Sequence, residues 1–214
     1  MRRLYREEFA DFTVKHFHEQ IRRDHGYTLG YTVTRLALQG SGDMRKAEGR
    51  GKHRKRRPRR PMPGMLLFQD GSTHLWIPAL GHDIDLIVTM DDATSHIYSA
   101  FFVAQEGTMP SFRGLSETIA AHGLFGSLYT DRGSHYFHTP KAGGKVGPNH
   151  LTQVGRGLKQ LGIRHIPSYS PEGRGRMERV FLTLQQRIPP ELRRAGLTTI
   201  EAANIWLQIG RAHV

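Results

Sequence analysis

"MLLFQDGSTHLWI" (residues 65–77) opens apolar and then carries Asp70 along a strand-like run. "DIDLIVTMDDATS" (83–95) follows as a second strand, with Asp83 and Asp85 at its opening and a turn at Asp91–Asp92. "HIYSAFFVAQEG" (96–107), rich in β-branched and aromatic residues, is a third. Three strands in such quick succession predict an antiparallel meander. The pattern then changes. "SFRGLSETIAAHG" (111–123) is helical, "FGSLYTDRG" (125–133) is a short strand ending on Asp131, and "NHLTQVGRGLKQLG" (149–162) is helical again. A last strand, "IRHIPSYSP" (163–171), gives way, after Pro171 and the glycines that follow it, to a helix through "MERVFLTLQQRI" (177–188).

Hairpin strands followed by strands separated by helices predict an α/β fold, a mixed sheet flanked by helices in ribonuclease-H-like order. That order places Asp70 on the first strand, Asp131 at the end of the fourth and Glu178 in the first turn of the helix after the fifth. Strand ends and helix starts meet along one sheet edge, where α/β sites form. Three convergent carboxylates repel one another unless cations neutralise them, so the cluster makes physical sense as a metal site. In "YSPEGRGRMERVF" (169–181), Glu178 lies within the helix whereas Glu172 is read in a Pro-Glu-Gly turn. His135 reads as a structural histidine near Asp131.

Upstream, "DFTVKHFHEQIRRDHG" (11–26) repeats Val14, Phe17 and Ile21 at helical spacing, with Asp11 or Thr13 as cap and Gly26 as stop. "YTLGYTVTRLALQGSG" (27–42) predicts a second short helix with Val33, Leu36 and Leu29 facing inward, closed by Gly40. Two helices across a short turn suggest a helix-turn-helix, whose second helix enters a major groove.

Charge agrees with a nucleic-acid partner. The 214 residues carry a formal net charge of +12. Residues 1–60 hold 17 Lys+Arg against 7 Asp+Glu, and residues 61–214 hold 14 against 12, so nearly all the excess lies in the first quarter. "RKAEGRGKHRKRRPRR" (45–60) has ten basic residues and one acid. Such a run repels itself and binds polyanions by counterion release. It also reads as a solvated linker, stiffened at its exit by Pro58, Pro61 and Pro63; a basic linker lying along DNA satisfies both readings. Lys52, Arg54, Lys55, Arg56, Arg57, Arg59 and Arg60 are its candidate phosphate contacts, joined near the carboxylates by Lys159, Arg174, Arg176 and Arg179. The absence of cysteine excludes disulfides and thiolate metal sites and points to a reducing cytoplasm. No apolar run is long enough to span a bilayer, and there is no P-loop to bind ATP.

"QDGS" (69–72), "TDRGSHY" (130–136) and "YSPEGRGRMERVF" together resemble the DDE transposases of bacterial insertion sequences, whose catalytic core is shared with retroviral integrases. The resemblance runs from about Gly64 to Gln208, and the helical segment with "GKHRKRRPRRP" (51–61) resembles the DNA-binding region ahead of that core. It implies that Asp70, Asp131 and Glu178 are catalytic and hold two Mg²⁺ (or Mn²⁺) ions. Glu172 takes a position that is often Gln, and the gap from Asp131 to Glu178 is longer than in retroviral integrases. It also implies cleavage of DNA at element ends, strand transfer without a covalent enzyme intermediate, and action as a homo-oligomer. A ribonuclease-H-like nuclease and a DNA-binding regulator are the rival readings; the first has little use for a helix-turn-helix and the second none for metal-facing acids. The expected division is a helix-turn-helix-like segment at 1–44, a linker at 45–63, the core at 64–208 and a non-native tail at 209–214. "IGRAHV" (209–214) matches the translation of a widely used sequencing-library adapter, and family members carry further portions on both sides. The chain is therefore expected to be a fragment whose last six residues pack against nothing.

Overall fold

The computed structural model describes residues 1–45, 57–140, 144–147, 150–169 and 171–210, with the backbone alone at 171–174 and 209–210. Lys52, Arg54, Lys55, Arg56 and the tail beyond Gly210 lie outside the described residues, as do the side chains of Glu172, Arg174 and Ile209.

Five strands form one sheet in the order β3-β2-β1-β4-β5. Strands β1 (Leu67–His74), β2 (Ile84–Asp91) and β3 (Ile97–Val103) pair antiparallel, as the closely spaced strand runs predict. Strands β4 (Ser127–Thr130) and β5 (Arg164–Pro167) add in parallel after helical crossovers, α4 (Thr108–His122) and α5 (Gln153–Gln160). Short parallel strands need such crossovers because their ends lie at opposite edges. The sheet is covered on both faces. Leu67 and Leu128 meet Leu115 of α4 and Val154 and Leu158 of α5 on one side. On the other, Phe68, Leu86 and Val88 meet Met177, Phe181 and Leu184 of α6 (Pro171–Arg194) and Ala203 and Leu207 of α7 (Ile200–Gly210). Burial on both faces explains why β2 is buried at every position, Asp85, Thr89 and Asp91 included.

Helix α6 differs from its sequence reading at both ends. It begins at Pro171, where proline costs no hydrogen bond, so Glu172 lies in its first turn and Glu178 two turns in. It also runs through Pro189 and Pro190, both buried.

The first 44 residues form a separate helical cluster of α1 (Arg2–Glu8), α2 (Val14–His25) and α3 (Tyr31–Gly40). The Thr13 hydroxyl caps α2 by accepting the His16 N–H at 3.3 Å, and Gly26 ends it at φ 61°, a left-handed conformation glycine adopts freely. Val14, Phe17 and Ile21 are buried as expected. The inward face of α3 is not. Leu29, Val33 and Leu36 are about half exposed, while Thr34 and Leu38 are fully buried. Thr34 can be buried because its hydroxyl reaches the Gly30 carbonyl and the Tyr27 hydroxyl.

Candidate active site

The β1–β4 register aligns Phe68 with Tyr129. Two residues further along each segment stand Asp70, still on β1, and Asp131, one residue past the end of β4. Because side chains alternate, both aspartates share the face of Phe68 and Tyr129, the face that α6 covers. Phe68, Gln69, Asp70, Tyr129, Thr130 and Asp131 line one narrow cleft, closed from α6 by Met177. Asp70 is buried and Asp131 half-buried. Glu178 is exposed and does not line the cleft; one helical step of about 100° separates it from Met177, which does.

The supporting contacts are local. Asp131 Oδ1 accepts the Gly133 N–H at 2.9 Å. A Cβ on Gly133 would stand 3.0 Å from both that oxygen and the His135 ring, so a larger residue there would press these two side chains back by a few tenths of an ångström. Behind the cleft, the Tyr136 hydroxyl donates to Gln69 Oε1 at 2.9 Å, and Gln69 Nε2 donates to Thr89 and to the Ser111 carbonyl. Burial above all raises the Tyr136 pKa, and the charges of Glu106, Asp70 and Asp131 raise it further, so this phenol stays protonated. Beside Thr130, His165 lies 3.0 Å from the threonine hydroxyl and stacks on Phe137, and burial lowers its pKa to about 4.

Two further acids shape the region without a local sequence signal. Glu106 packs against Gly71, where a Cβ would come within 2.6 Å of Glu106 Oε2, and lies 3.3 Å from His135 Nε2. The glycine following Asp70 was the available hint. Asp92 is fully buried, and with Asp91 it does form the expected turn, Asp91 Oδ2 accepting the Thr94 N–H and hydroxyl. Asp92 also engages Arg57 and Arg176, two side chains expected on phosphates, because a carboxylate removed from water needs a counter-charge. Arg59 reaches the Ala93 carbonyl at 2.7 Å; Arg60, Lys159 and Arg179 are exposed.

No protein-family model matches the chain. By sequence it is 31% identical over 204 residues to "Putative transposase y4bF" of Sinorhizobium fredii, covering 95% of this chain and 44% of that protein. It is 33% identical over 151 residues to the transposase for insertion sequence IS1202 of Streptococcus pneumoniae, covering 71% of this chain and 32% of that one. The chain thus spans less than half the length of these curated relatives. By structure it resembles a chain of the simian T-cell lymphotropic virus intasome in complex with PP2A regulatory subunit B56 gamma. The TM-score is 0.56 at 19% identity, over 89% of this chain and 63% of that one. The HTLV-2 integrase catalytic core domain in complex with magnesium (trimeric form) gives 0.50 at 15% identity, over 70% and 85%. Among the described residues no helix is long and apolar enough to cross a membrane. In sequence the chain is similar to insertion-sequence transposases, and in fold it is like the retroviral integrase core.

Proposed function

We propose that this chain carries the catalytic core of a polynucleotidyl transferase that cuts DNA at the ends of an insertion sequence and joins them to target DNA. The carrying observation is the shared cleft of Asp70 and Asp131 under α6. Two carboxylates in one narrow cleft raise each other's cost of ionisation unless a cation answers them. Their hard oxygen donors suit Mg²⁺ or Mn²⁺, and Glu178, one residue beyond the cleft wall, is the third ligand in this reading. Two ions bound there would polarise the phosphodiester and stabilise the attacking and leaving oxygens of an in-line displacement.

The chain's own residues supply placement. The β1–β4 pairing brings Asp70 and Asp131 to one cleft, the Gly133 N–H orients the Asp131 carboxylate, and Met177 keeps one wall of the cleft apolar. In the first step a water oxygen bonds to phosphorus and the 3′-oxygen leaves as a hydroxyl. In the second, that hydroxyl bonds to a target phosphorus and the target's own 3′-oxygen leaves. No covalent enzyme intermediate or ATP is required. Residues 1–44 and the basic run at 45–63 hold the DNA, with Lys52, Arg54, Lys55, Arg56, Arg59, Arg60 and Arg174 as phosphate contacts. The core occupies 64–208, and the working assembly contains more than one copy of the chain. The naming of both sequence relatives as transposases supports strand transfer over hydrolysis alone.

The test is cleavage and strand transfer on candidate terminal repeats with Mg²⁺ or Mn²⁺. Asp70→Asn, Asp131→Asn and Glu178→Gln should each abolish cleavage with DNA binding nearly intact, and Glu172→Gln should keep most activity. An inactive Glu172→Gln beside an active Glu178→Gln would reverse the assignment of the third acid.

A further inference from the structure

Asp92 joins three parts of the chain that are distant in sequence. Its Oδ1 accepts from Arg57 Nη2 at 2.6 Å and from Arg176 Nη1. Its Oδ2 accepts the backbone N–H of Arg60 at 2.7 Å. The two arginines are also tied to each other, since Arg176 Nη2 donates to the Arg57 carbonyl at 2.6 Å. One buried carboxylate therefore anchors the end of the basic run to α6. The anchored residue, Arg176, immediately precedes Met177, which walls the cleft, and stands two before Glu178.

The guanidinium forks that Asp92 occupies are the groups a DNA phosphate would otherwise take. We propose that Asp92 is a positioning residue. It holds Arg57 and Arg176 off the DNA backbone and uses them to fix both the exit of the basic run and the early turns of α6 beside the Asp70–Asp131 cleft. The catalytic half of this inference rests on the transposase reading; the DNA-binding half rests on the Asp92 contacts and on the DNA binding proposed above.

A carboxylate that only supports the fold would, when neutralised, weaken binding and catalysis together. The clamp predicts opposite signs. Asp92→Asn keeps the shape, removes the charge and releases two cations. Affinity for a random-sequence duplex of about 30 base pairs should rise. The slope of log affinity against log salt should steepen by about 0.9 for each arginine that reaches a phosphate. Metal-dependent cleavage of element-end DNA should fall by roughly tenfold to a hundredfold, because the early turns of α6 lose their anchor. A slope unchanged or shallower in folded Asp92→Asn overturns the clamp. Should Asp92→Asn fail to fold by circular dichroism, Arg176→Gln decides. It should lower cleavage at an unchanged salt slope, and a slope flattened by about 0.9 would put Arg176 on a phosphate in the parent and end the proposal. Asp70→Asn measured alongside separates the two ideas. Cleavage surviving in that variant defeats the transposase reading of the site, while the salt slopes still decide the clamp.

Discussion

The two ends of α6 are both held by arginine–carboxylate contacts, but in opposite surroundings. At the N-terminal end the acceptor, Asp92, is fully buried, and Arg176 is only 21% exposed. At the C-terminal end α6 meets the helical cluster of residues 1–44 through Arg187–Glu19, Arg193–Asp11 and Arg194–Asp24. These pairs are solvated, with Arg193 and Asp11 each more than 40% exposed. The more enclosed contacts of this seam are Glu191 with His16 and Gln20, and the Arg194 guanidinium 4.7 Å from the Phe9 ring. Exposed pairs are each worth about 0–1 kcal/mol and are screened by salt, whereas breaking a buried pair strands a charge. The same helix is therefore anchored on a fully buried carboxylate at its sheet end, and at the end that meets residues 1–44 it is held mainly by exposed pairs, with Glu191–His16 the enclosed exception.

The sharpest way to break that comparison is to damage one half and watch the other. Phe17 is fully buried at the centre of the helical cluster, with the Tyr5 and Phe9 rings 5.0 and 5.2 Å away. Phe17→Ala should cost this cluster about 3–5 kcal/mol, enough to unfold it. With a loose seam, amide exchange in β1, β2 and β4 should stay as slow as in the parent. Equal acceleration in the sheet would show the halves unfolding as one.

Much of this division is written in the sequence, and the rest fails for physical reasons. The meander, the Thr13 cap and the Gly26 stop are local features, legible from residues within a few positions of each other. Asp70 and Asp131 were placed by strand order, which is also nearly local. The orientation of α3 was misread because it carries apolar residues on more than one face, and the deciding residue, Thr34, is buried through hydrogen bonds that no hydropathy pattern encodes. The start of α6 was misplaced because "PEGRG" (171–175) has turn composition, and packing of Met177 and Phe181 overrides that propensity. Asp92 was invisible as a hub because its partners lie 35 and 84 residues away. Glu106 was missed for the same reason, its one sequence clue being the glycine after Asp70.

A second prediction separates the halves by acid. His165 is largely buried beside the sheet with its pKa lowered from 6.5 to about 4, so the folded form excludes a proton that the unfolded chain binds. The unfolded state thus binds more protons between these values, and stability falls as pH drops from about 6.5 to 4. The contribution lost is about 3 kcal/mol from this residue, at 1.36 kcal/mol per unit. His165→Gln should change stability little at pH 7.5 and make the acid slope of core unfolding correspondingly shallower. An identical slope in both proteins would show that His165 is charged in the fold.

The smallest effect lies in the seam itself. Arg193 donates to Asp11 twice, from Nε at 2.8 Å and Nη2 at 2.7 Å, the best geometry among the exposed pairs. Its pKa is raised chiefly by that hydrogen bond. Solvent still screens the pair, and ordering two exposed side chains costs entropy. A double-mutant cycle of Arg193→Gln and Asp11→Asn should therefore give a coupling of about 0.5 kcal/mol at low salt. At about 1 M salt, where the screening length is near 3 Å, it should shrink towards zero. The stated asymmetry of α6 requires both results. A coupling of several kcal/mol that survives high salt would make the seam as rigid as the Asp92 end, and the helical cluster would then move with the core as one body.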